Sequence, residues 1–336
     1  MSEEKKSIIK DKILGMVIGG SLSDALGAPH EFYYQNKKYT GKLEHQARIS
    51  SQFQGNRYCA IGQFTDDTEM TLIILRSLVK NKGEYKREEV IQNYIDWAND
   101  HTVFLGKNTR YLFKGHKTIK TYQKRYNALS VQETQSNGAL MRCSPLFILD
   151  IETALQDCKI TNPNPVTVET NRFYLSLLKN IFANPTWSKR KLMKDIILPE
   201  LKEVRDVVEP IVTSFLNKKE LEKREMDNHV NSKKGWCLVA LHLSLTTFLF
   251  FDNYKDGIGY IINLKGDTDT NGAIYGWLYG AFHGYEKLKS EDHITEENIK
   301  TLLRCDTNLG DFPRKSEYTL HDIFTLTDKF SNLVKV

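Results

Sequence analysis

The segment GMVIGGSLSDALG, residues 15–27, carries a small residue at every fourth position: Gly15, Gly19, Ser23 and Gly27. The segment GAIYGWLYGAFHG, residues 272–284, repeats this spacing with Gly272, Gly276, Gly280 and Gly284. A glycine inside a helix costs up to about 1 kcal/mol relative to alanine, so the two rows need a compensating reason. On a helix, small residues four apart form a groove that admits a neighbouring backbone. We therefore predict two helices that pack deep in the core, on each other.

Helical periodicity dominates the rest of the chain, and no convincing run of strict alternation is present. The chain has 20 glycines and 8 prolines in 336 residues. These two residue types together make up about 12% of an average protein, so their share here is low and we expect few turns. No linker separates halves of different composition. The sequence predicts an all-α fold, a single compact many-helix domain over residues 1–336 with a motif-bearing core over about 8–290 and a closing helical segment over about 291–336. The periodic windows are residues 8–26, 68–79, 89–99, 172–182, 189–198, 201–216, 236–251, 256–263 and 270–288.

Composition argues against several classes of protein. The net charge is only +5, and the 47 basic residues are interspersed with 42 acidic ones, whereas a nucleic-acid binder usually has a clustered basic face. The five cysteines are scattered and form no CxxC pair, which argues against a disulfide framework and a thiolate zinc site. The N-terminus lacks the apolar core of a signal peptide, and the longest apolar stretch, residues 236–251, falls short of the roughly 20 residues that span a membrane. We expect a cytoplasmic monomer without nucleic-acid or membrane partners.

The motif TDDTEM at residues 65–70 places two adjacent carboxylates at the start of a strongly apolar helix. Thr65 or Asp66 is a natural N-cap, and Glu69 could complete a capping box. Capping explains one acidic residue but not the pair Asp66 and Asp67, since adjacent carboxylates repel unless a cation lies between them. A hard divalent metal with oxygen ligands is the alternative interpretation.

The motif GDTDTNG at residues 266–272 has the same character and opens the second glycine-rich helix. A turn at the helix start could bring Asp267, Asp269 and the Thr270 hydroxyl onto one ion. An EF-hand loop is excluded, because the twelfth position counted from Asp267 is Leu278 rather than glutamate. Although Asp66 and Asp267 lie 201 positions apart, the two motifs together offer four carboxylates and two hydroxyls, a donor set suited to a two-metal site.

Glu31 follows the first glycine-rich helix, which must end near Gly27 because Pro29 disfavours helix at Ala28. His30 and Glu31 could be ordinary surface residues. A glutamate close to metal ions could instead act as a general base or as a gating ligand.

Taken in order, these motifs resemble those of the ADP-ribosylglycohydrolase family, which includes the dinitrogenase reductase-activating glycohydrolase and the ADP-ribosyl-acceptor hydrolases. Four motifs in the right order are highly specific, and they span about residues 13–284. The matching stretches are SDALGAPHE at 23–31, TDDTEM at 65–70, SNGALMR at 136–142 and KGDTDTNGAIYGWLYGA at 265–281.

The resemblance implies an all-α fold whose central cleft binds two Mg²⁺ ions, for which Mn²⁺ could substitute. Glu31 corresponds to the family's catalytic or gating glutamate. The ligand-cradling loop corresponds to Ser136, Asn137 and Gly138, whose backbone N–H groups would suit phosphate oxygens. The metal ligands correspond to Thr65, Asp66, Asp67, Asp267, Asp269 and Thr270.

Three positions depart from the family pattern without removing a carboxylate. Ser23 stands for glycine in the row of small residues. Ser136 stands for the glycine before Asn137, where it could hinder a positive φ. Lys265 stands for the first glycine of GGDTDT, where a cation could contact a phosphate or compete with metal.

The resemblance implies a Mg²⁺-dependent hydrolase that cleaves the N- or O-glycosidic bond between ADP-ribose and an acceptor side chain, or a related ADP-ribose conjugate. Glu31, or a metal-bound aspartate such as Asp67, would accept the proton of the attacking water. One alternative is a non-catalytic ADP-ribose-binding or structural protein, and another is a metal-dependent phosphohydrolase that splits the pyrophosphate. The acceptor residue, arginine, serine or another, stays open, with specificity expected in the loops at residues 34–61 and 99–133.

Overall fold

Helices make up most of the chain. The computed structural model describes residues 2–31, 38–48, 57–100, 102, 104–220 and 228–335. Much of the predicted specificity loop at 34–61 lies outside these residues. The α-helices of the described residues are α1 (Glu3–Gly27), α2 (Asp66–Lys80), α3 (Arg87–Asn99), α4 (Lys107–Phe113), α5 (Ile119–Asn127), α6 (Ile151–Thr161), α7 (Pro165–Ala183), α8 (Lys189–Lys194), α9 (Lys202–Leu216), α10 (Cys237–Phe250), α11 (Tyr254–Leu264), α12 (Thr268–His283), α13 (Tyr285–Lys289), α14 (His293–Leu303) and α15 (Ile323–Ser331).

Extended structure is confined, within these residues, to two short strands and one isolated bridge. Strand β1 (Ala47–Arg48) pairs antiparallel with β2 (Arg57–Tyr58), in a register that aligns Ala47 with Tyr58. The isolated bridge joins Ser136 to Trp236. The predicted all-α fold is therefore confirmed.

Helices α1 and α12 pack with their backbones in direct contact. A Cβ atom added to Gly280 would lie 1.9 Å from the carbonyl oxygen of Gly15, and one added to Gly276 would lie 2.3 Å from that of Gly19. At the other end, a Cβ on Gly27 would lie 2.3 Å from the carbonyl oxygen of Thr268. Residue numbers rise along one helix as they fall along the other, so the pair is antiparallel. The predicted close packing of the two glycine-rich helices is confirmed.

Several expectations about the helices need correction. The window at 270–288 contains two helices, because Gly284 adopts a φ of 83° between α12 and α13. The window at 189–198 ends early, at Lys194. The periodicity also missed α4, α5 and α6. Helix α5 buries only Tyr122, so it presents almost no apolar stripe for a pattern to reveal.

The main hydrophobic cluster includes residues from Ile9 to Val334. Helix α10, the most apolar segment, is buried along residues 237–249, as predicted for a core helix. None of the helices in the described ranges is both long enough and apolar enough to cross a membrane. The closing segment is tied to α2 by a buried ion pair, in which Arg314 Nε donates to Glu69 Oε1 over 2.7 Å.

Candidate functional site

The end of α1 places Glu31 beside the second acidic motif. Helix α1 ends at Gly27, and a single 3₁₀ turn, Ala28–His30, leads to Glu31. His30 is buried, so the surface interpretation of this residue is wrong. One carboxylate oxygen each from Glu31, Asp267 and Asp269 lie within 4.8 Å of one another.

The start of α2 buries the first acidic motif. Thr65 is the N-cap residue, but its side chain makes no capping bond within its own helix. Asp67 is wholly buried. Its Oδ2 lies 2.9 Å from the Thr65 hydroxyl oxygen, whereas its Oδ1 has no hydrogen-bond partner among the described residues. Asp66 is partly exposed and lines a cleft. The capping-box expectation is wrong, because the Glu69 carboxylate binds Arg314 and the indole N–H of Trp97 instead.

The start of α12 buries the second acidic motif. Asp267 is the N-cap residue, and Asp269 lies in the first turn. The side-chain amide of Asn137 donates to Asp267 Oδ2 over 2.8 Å, and the backbone N–H of Thr270 donates to Asp269 Oδ1 over 2.9 Å. The three predicted ligands of this motif, Asp267, Asp269 and Thr270, are buried.

Asp269 connects the two motifs. Its carboxylate belongs to two clusters of three. One cluster contains Glu31 and Asp267, and the other contains Asp24 and Asp67. In each cluster, one oxygen of each carboxylate lies within 4.8 Å of the others. The chain therefore brings Asp67, Asp267 and Asp269 of its predicted acidic ligands together with Glu31 and with Asp24, which had not been predicted. Asp66 lines the adjacent cleft.

These buried carboxylates repel one another when they are ionised. Burial, followed by the neighbouring carboxylates of Asp24 and Asp269, raises the pKa of Asp67 well above its usual range. Burial and the charge of Asp269 raise the pKa of Asp267 to about 8. Burial disfavours the charged form, and like charges disfavour it further. A cation at this position would relieve both effects.

The donor set fits a hard divalent cation. The grouped side chains offer carboxylate and hydroxyl oxygens, the ligands that Mg²⁺ and Ca²⁺ prefer. The Asp67 Oδ1 atom is buried without a partner among the described residues, and a buried acceptor left unsatisfied is costly unless something binds it. The described carboxylates that are close enough to share an ion are those of Asp24, Glu31, Asp67, Asp267 and Asp269. The wider ligand set of the resemblance, with Thr65, Asp66 and Thr270, stays a prediction.

A cleft of about 580 Å³ opens beside these residues. Its wall combines acidic side chains with cationic ones, among them Lys107 and Arg110 of α4. The cleft is lined by Glu31, Asp66, Phe104, Leu105, Gly106, Lys107, Asn108, Thr109, Arg110, Glu133, Ser136, Asn137, Gly138, Met141, Asn162, Lys234, Gly235, Asp267, Asp269 and Thr270.

The loop of Ser136, Asn137 and Gly138 lines this cleft in an ordinary backbone conformation. Ser136 does not adopt a positive φ, so serine fits here without strain, and its hydroxyl accepts from the Asn162 amide over 2.9 Å. The backbone N–H of Asn137 donates to the carbonyl of Gly235 over 2.8 Å. That N–H is therefore used within the protein, and the expectation that it contacts a phosphate is weakened.

Lys265, the third departure from the family pattern, carries backbone strain. Its φ is 69° and its ψ is −159° at the end of α11, a region that only glycine adopts readily. The lysine thus occupies a position that favours the glycine usual in the family.

Asp24 is the residue of this site that sequence reasoning missed. It is wholly buried in α1, and its carboxylate accepts hydrogen bonds from Thr65 and Thr68 of the first acidic motif. An available signal was an aspartate inside an otherwise apolar and glycine-rich helix, where its low helix propensity needs a reason. The cationic residues of α4 were also missed, since α4 itself was not predicted.

Comparison with known proteins supports one family. The profile of the family described as ADP-ribosylglycohydrolase matches residues 5–306. The chain is similar to the ADP-ribosyl-[dinitrogen reductase] glycohydrolase of Rhodospirillum rubrum, with 24% identity over 84% of this chain and 89% of that protein. It is also similar to the ADP-ribosylarginine hydrolase Tri1 of Serratia proteamaculans, with 23% identity over 87% of this chain and 78% of that one. A solved ADP-ribosylglycohydrolase-related protein complex shares the fold, with a TM-score of 0.63, 20% identity and coverage of 98% of this chain and 100% of that chain.

Proposed function

The chain belongs to the ADP-ribosylglycohydrolase family, and from this premise we propose that it cleaves, with Mg²⁺, the glycosidic bond between ADP-ribose and an acceptor side chain. A related ADP-ribose conjugate is the other substrate of the same class. The observation that carries the proposal is the buried Asp67 oxygen without a partner among the described residues, set among acidic side chains from remote parts of the chain.

The proposed chemistry follows from the residues around the cleft. Cleavage at the ribose C1″ atom passes through an oxocarbenium-like transition state, which needs an attacking water held in place and a group to take its proton. Ions bound by the acidic motifs would orient and polarise oxygen ligands. Glu31 lines the cleft and is the proposed proton acceptor. Asp67 is the second choice, because its carboxylate is buried beside those of Asp24 and Asp269, next to the acids that line the cleft.

The substrate is proposed to lie with its ribose toward the acids and its pyrophosphate toward α4. Lys107 and Arg110 line the same cleft as Asp66 and Asp269. Arginine binds phosphate oxygens through a planar fork and lysine through a point charge. Since the Asn137 N–H is already bonded to Gly235, these side chains are the proposed phosphate contacts.

The proposed function is tested with peptides that carry arginine-, serine- or acid-linked ADP-ribose, with Mg²⁺ or with EDTA. Release of free ADP-ribose only in Mg²⁺ supports the glycohydrolase, and release of AMP supports the phosphohydrolase. Binding without any product supports the non-catalytic alternative. Arginine is the first linkage to test, because one relative is an ADP-ribosylarginine hydrolase.

Asp269→Asn should abolish turnover and weaken Mg²⁺ binding, and Asp66→Asn should do the same. Asp252→Asn is the matched control, because the Asp252 side chain is fully exposed and lies outside the cleft. Isothermal titration calorimetry that shows unchanged Mg²⁺ affinity in both site variants would contradict the metal assignment.

The phosphate assignment has its own test. Replacing Lys107 and Arg110 together by alanine should raise KM for an ADP-ribosyl peptide by about tenfold or more, since charge-assisted hydrogen bonds contribute about 1.5–3 kcal/mol each. The exposed Lys120 of α5, changed to alanine, should leave KM unchanged. An unaltered KM in the double variant would place the pyrophosphate elsewhere.

A further inference from the structure

Asp24 caps a helix to which it does not belong. Its carboxylate is wholly buried on α1 and accepts hydrogen bonds from four donors at the start of α2. The Thr65 backbone N–H and hydroxyl donate to Oδ1 over 3.0 and 2.8 Å, and the Thr68 backbone N–H and hydroxyl donate to Oδ2 over 3.1 and 2.7 Å. The first N–H groups of a helix lack partners within that helix, and here another helix supplies them.

The same turn of α1 also contacts the start of α12. The carbonyl oxygen of Gly27 accepts from the Thr268 hydroxyl over 2.8 Å. The backbones touch here, since a Cβ on Gly27 would lie 2.6 Å from the Cα of Asp269. Residues 24–27 therefore contact the first turns of both helices that carry the acidic motifs.

Asp24 is saturated with donors and is poorly suited to hold an ion itself. Each of its oxygens already accepts at least two hydrogen bonds. An effect on a neighbouring ion would therefore pass through the Thr65 hydroxyl. That hydroxyl has one proton and lies 2.8 Å from Asp24 Oδ1 and 2.9 Å from Asp67 Oδ2. When the proton is donated to Asp24, the lone pairs of the oxygen face the Asp67 side.

We infer that Asp24 is a positioning residue for the metal centre, which holds the start of α2 and orients the Thr65 oxygen as a ligand. This inference rests on the proposed function, because it presumes that the acidic motifs bind a divalent cation. Asp24 thus contributes to ion binding through Thr65 and Thr68 and not through contact with the ion.

The test is Mg²⁺ affinity measured by calorimetry on folded variants. In Asp24→Asn, one oxygen becomes an NH₂ group that faces donors, so either Thr65 or Thr68 loses its acceptor and Mg²⁺ should bind at least tenfold more weakly. Asp11→Asn is the matched control. Asp11 also lies on α1 and accepts from the first turn of another helix, through the Glu286 N–H over 3.0 Å, but it lies outside the cleft. It should lose stability and keep wild-type Mg²⁺ affinity.

Thr68→Val provides a second variant if Asp24→Asn does not fold. It removes one hydroxyl donor to Asp24 while keeping the side-chain shape, and it should weaken Mg²⁺ binding by about threefold to tenfold. Amide hydrogen exchange at Thr65 and Thr68 should speed up in both variants and not in Asp11→Asn. Wild-type Mg²⁺ affinity in the folded Asp24 variant, or in Thr68→Val where the former does not fold, would overturn this inference alone. No Mg²⁺ binding by the wild type would overturn the proposed metal centre and the inference with it.

Discussion

The position of Glu31 depends on the single 3₁₀ turn, Ala28–His30, that follows α1. In sequence it follows a proline at a helix end, where a surface glutamate is the plainer interpretation. In the fold its carboxylate lies near those of Asp267 and Asp269 and lines the cleft. This placement favours the catalytic interpretation, which stays a prediction.

Glu31→Gln should lower kcat by about 10²–10⁴-fold, the usual contribution of a general base. Mg²⁺ affinity and ADP-ribose binding should be retained, because the lost interaction matters in the transition state. Single-turnover rates on an ADP-ribosyl peptide at saturating Mg²⁺ measure the effect, with Glu133→Gln in the same cleft as the control. A rate within about threefold of wild type would transfer the role to Asp67.

Lys265→Gly should stabilise the protein by about 1 kcal/mol. A residue at φ 69° and ψ −159° stores about 1–3 kcal/mol of strain, and glycine relieves it at a smaller entropic cost of about 0.5–1 kcal/mol. Lys265→Ala removes the same charge but keeps Cβ, so it should not stabilise. Urea unfolding compares the three proteins, and equal stability of the glycine and alanine variants would rule out backbone strain at this position.

At the scale of elements, the pair of α1 and α12 sets the separation of Asp24 and Glu31 from the second acidic motif. Their contact runs from Gly15 opposite Gly280 to Gly27 opposite Thr268. The acids Asp267 and Asp269 lie at the start of α12, and Asp24 lies near the end of α1. The glycine contacts therefore control the distance between the helix ends that form the site.

Gly280→Ala should destabilise the protein by about 2–4 kcal/mol, because its Cβ would lie 1.9 Å from a backbone oxygen that cannot move alone. Gly259→Ala, inside α11, is the control. There the new Cβ would lie 3.5 Å from the ring of Tyr39, an ordinary contact, and alanine should be neutral or stabilising by up to about 1 kcal/mol. Thermal unfolding that shows equal effects for the two variants would contradict backbone contact between α1 and α12.

At the scale of the whole molecule, the fold concentrates negative charge in one buried place. Asp24, Asp67 and Asp267 all have pKa values above the usual range for aspartate, to about 7 for Asp24 and about 8 for Asp267, chiefly because of burial. The native metal-free protein therefore binds more protons than the unfolded chain between pH 4 and 8. By linkage, the contribution of these groups to the stability is highest below about pH 4 and falls as the pH rises from about 4 to 8.

The melting temperature of the protein in EDTA should accordingly fall between pH 5.5 and pH 8. Mg²⁺ should raise it at pH 8 and do so less at pH 5.5, because protons compete for the same oxygens. At a concentration of 100 times Kd, a ligand bound only by the native state adds about 2.7 kcal/mol. Differential scanning fluorimetry measures the shift, with NaCl at matched ionic strength as the control. A melting temperature indifferent to Mg²⁺ at both pH values would argue against the metal centre.

The sequence by itself determined the helical class, the contact between α1 and α12, and the acidic motifs, because each depends on local spacing. Rows of small residues every fourth position and carboxylates at helix starts are readable without knowing what lies nearby. Family resemblance added the assignment of Glu31, which local spacing left open.

Only the tertiary structure decided the partners of each charge. Asp24 bonds to Thr65 across 41 positions, Glu69 pairs with Arg314 rather than with its own helix start, and Lys107 joins the cleft from α4, a helix that the periodicity did not predict. Such contacts depend on the three-dimensional path of the chain. A carboxylate in a sequence shows its chemistry, but its pKa and its role depend on the burial and the neighbours that folding provides.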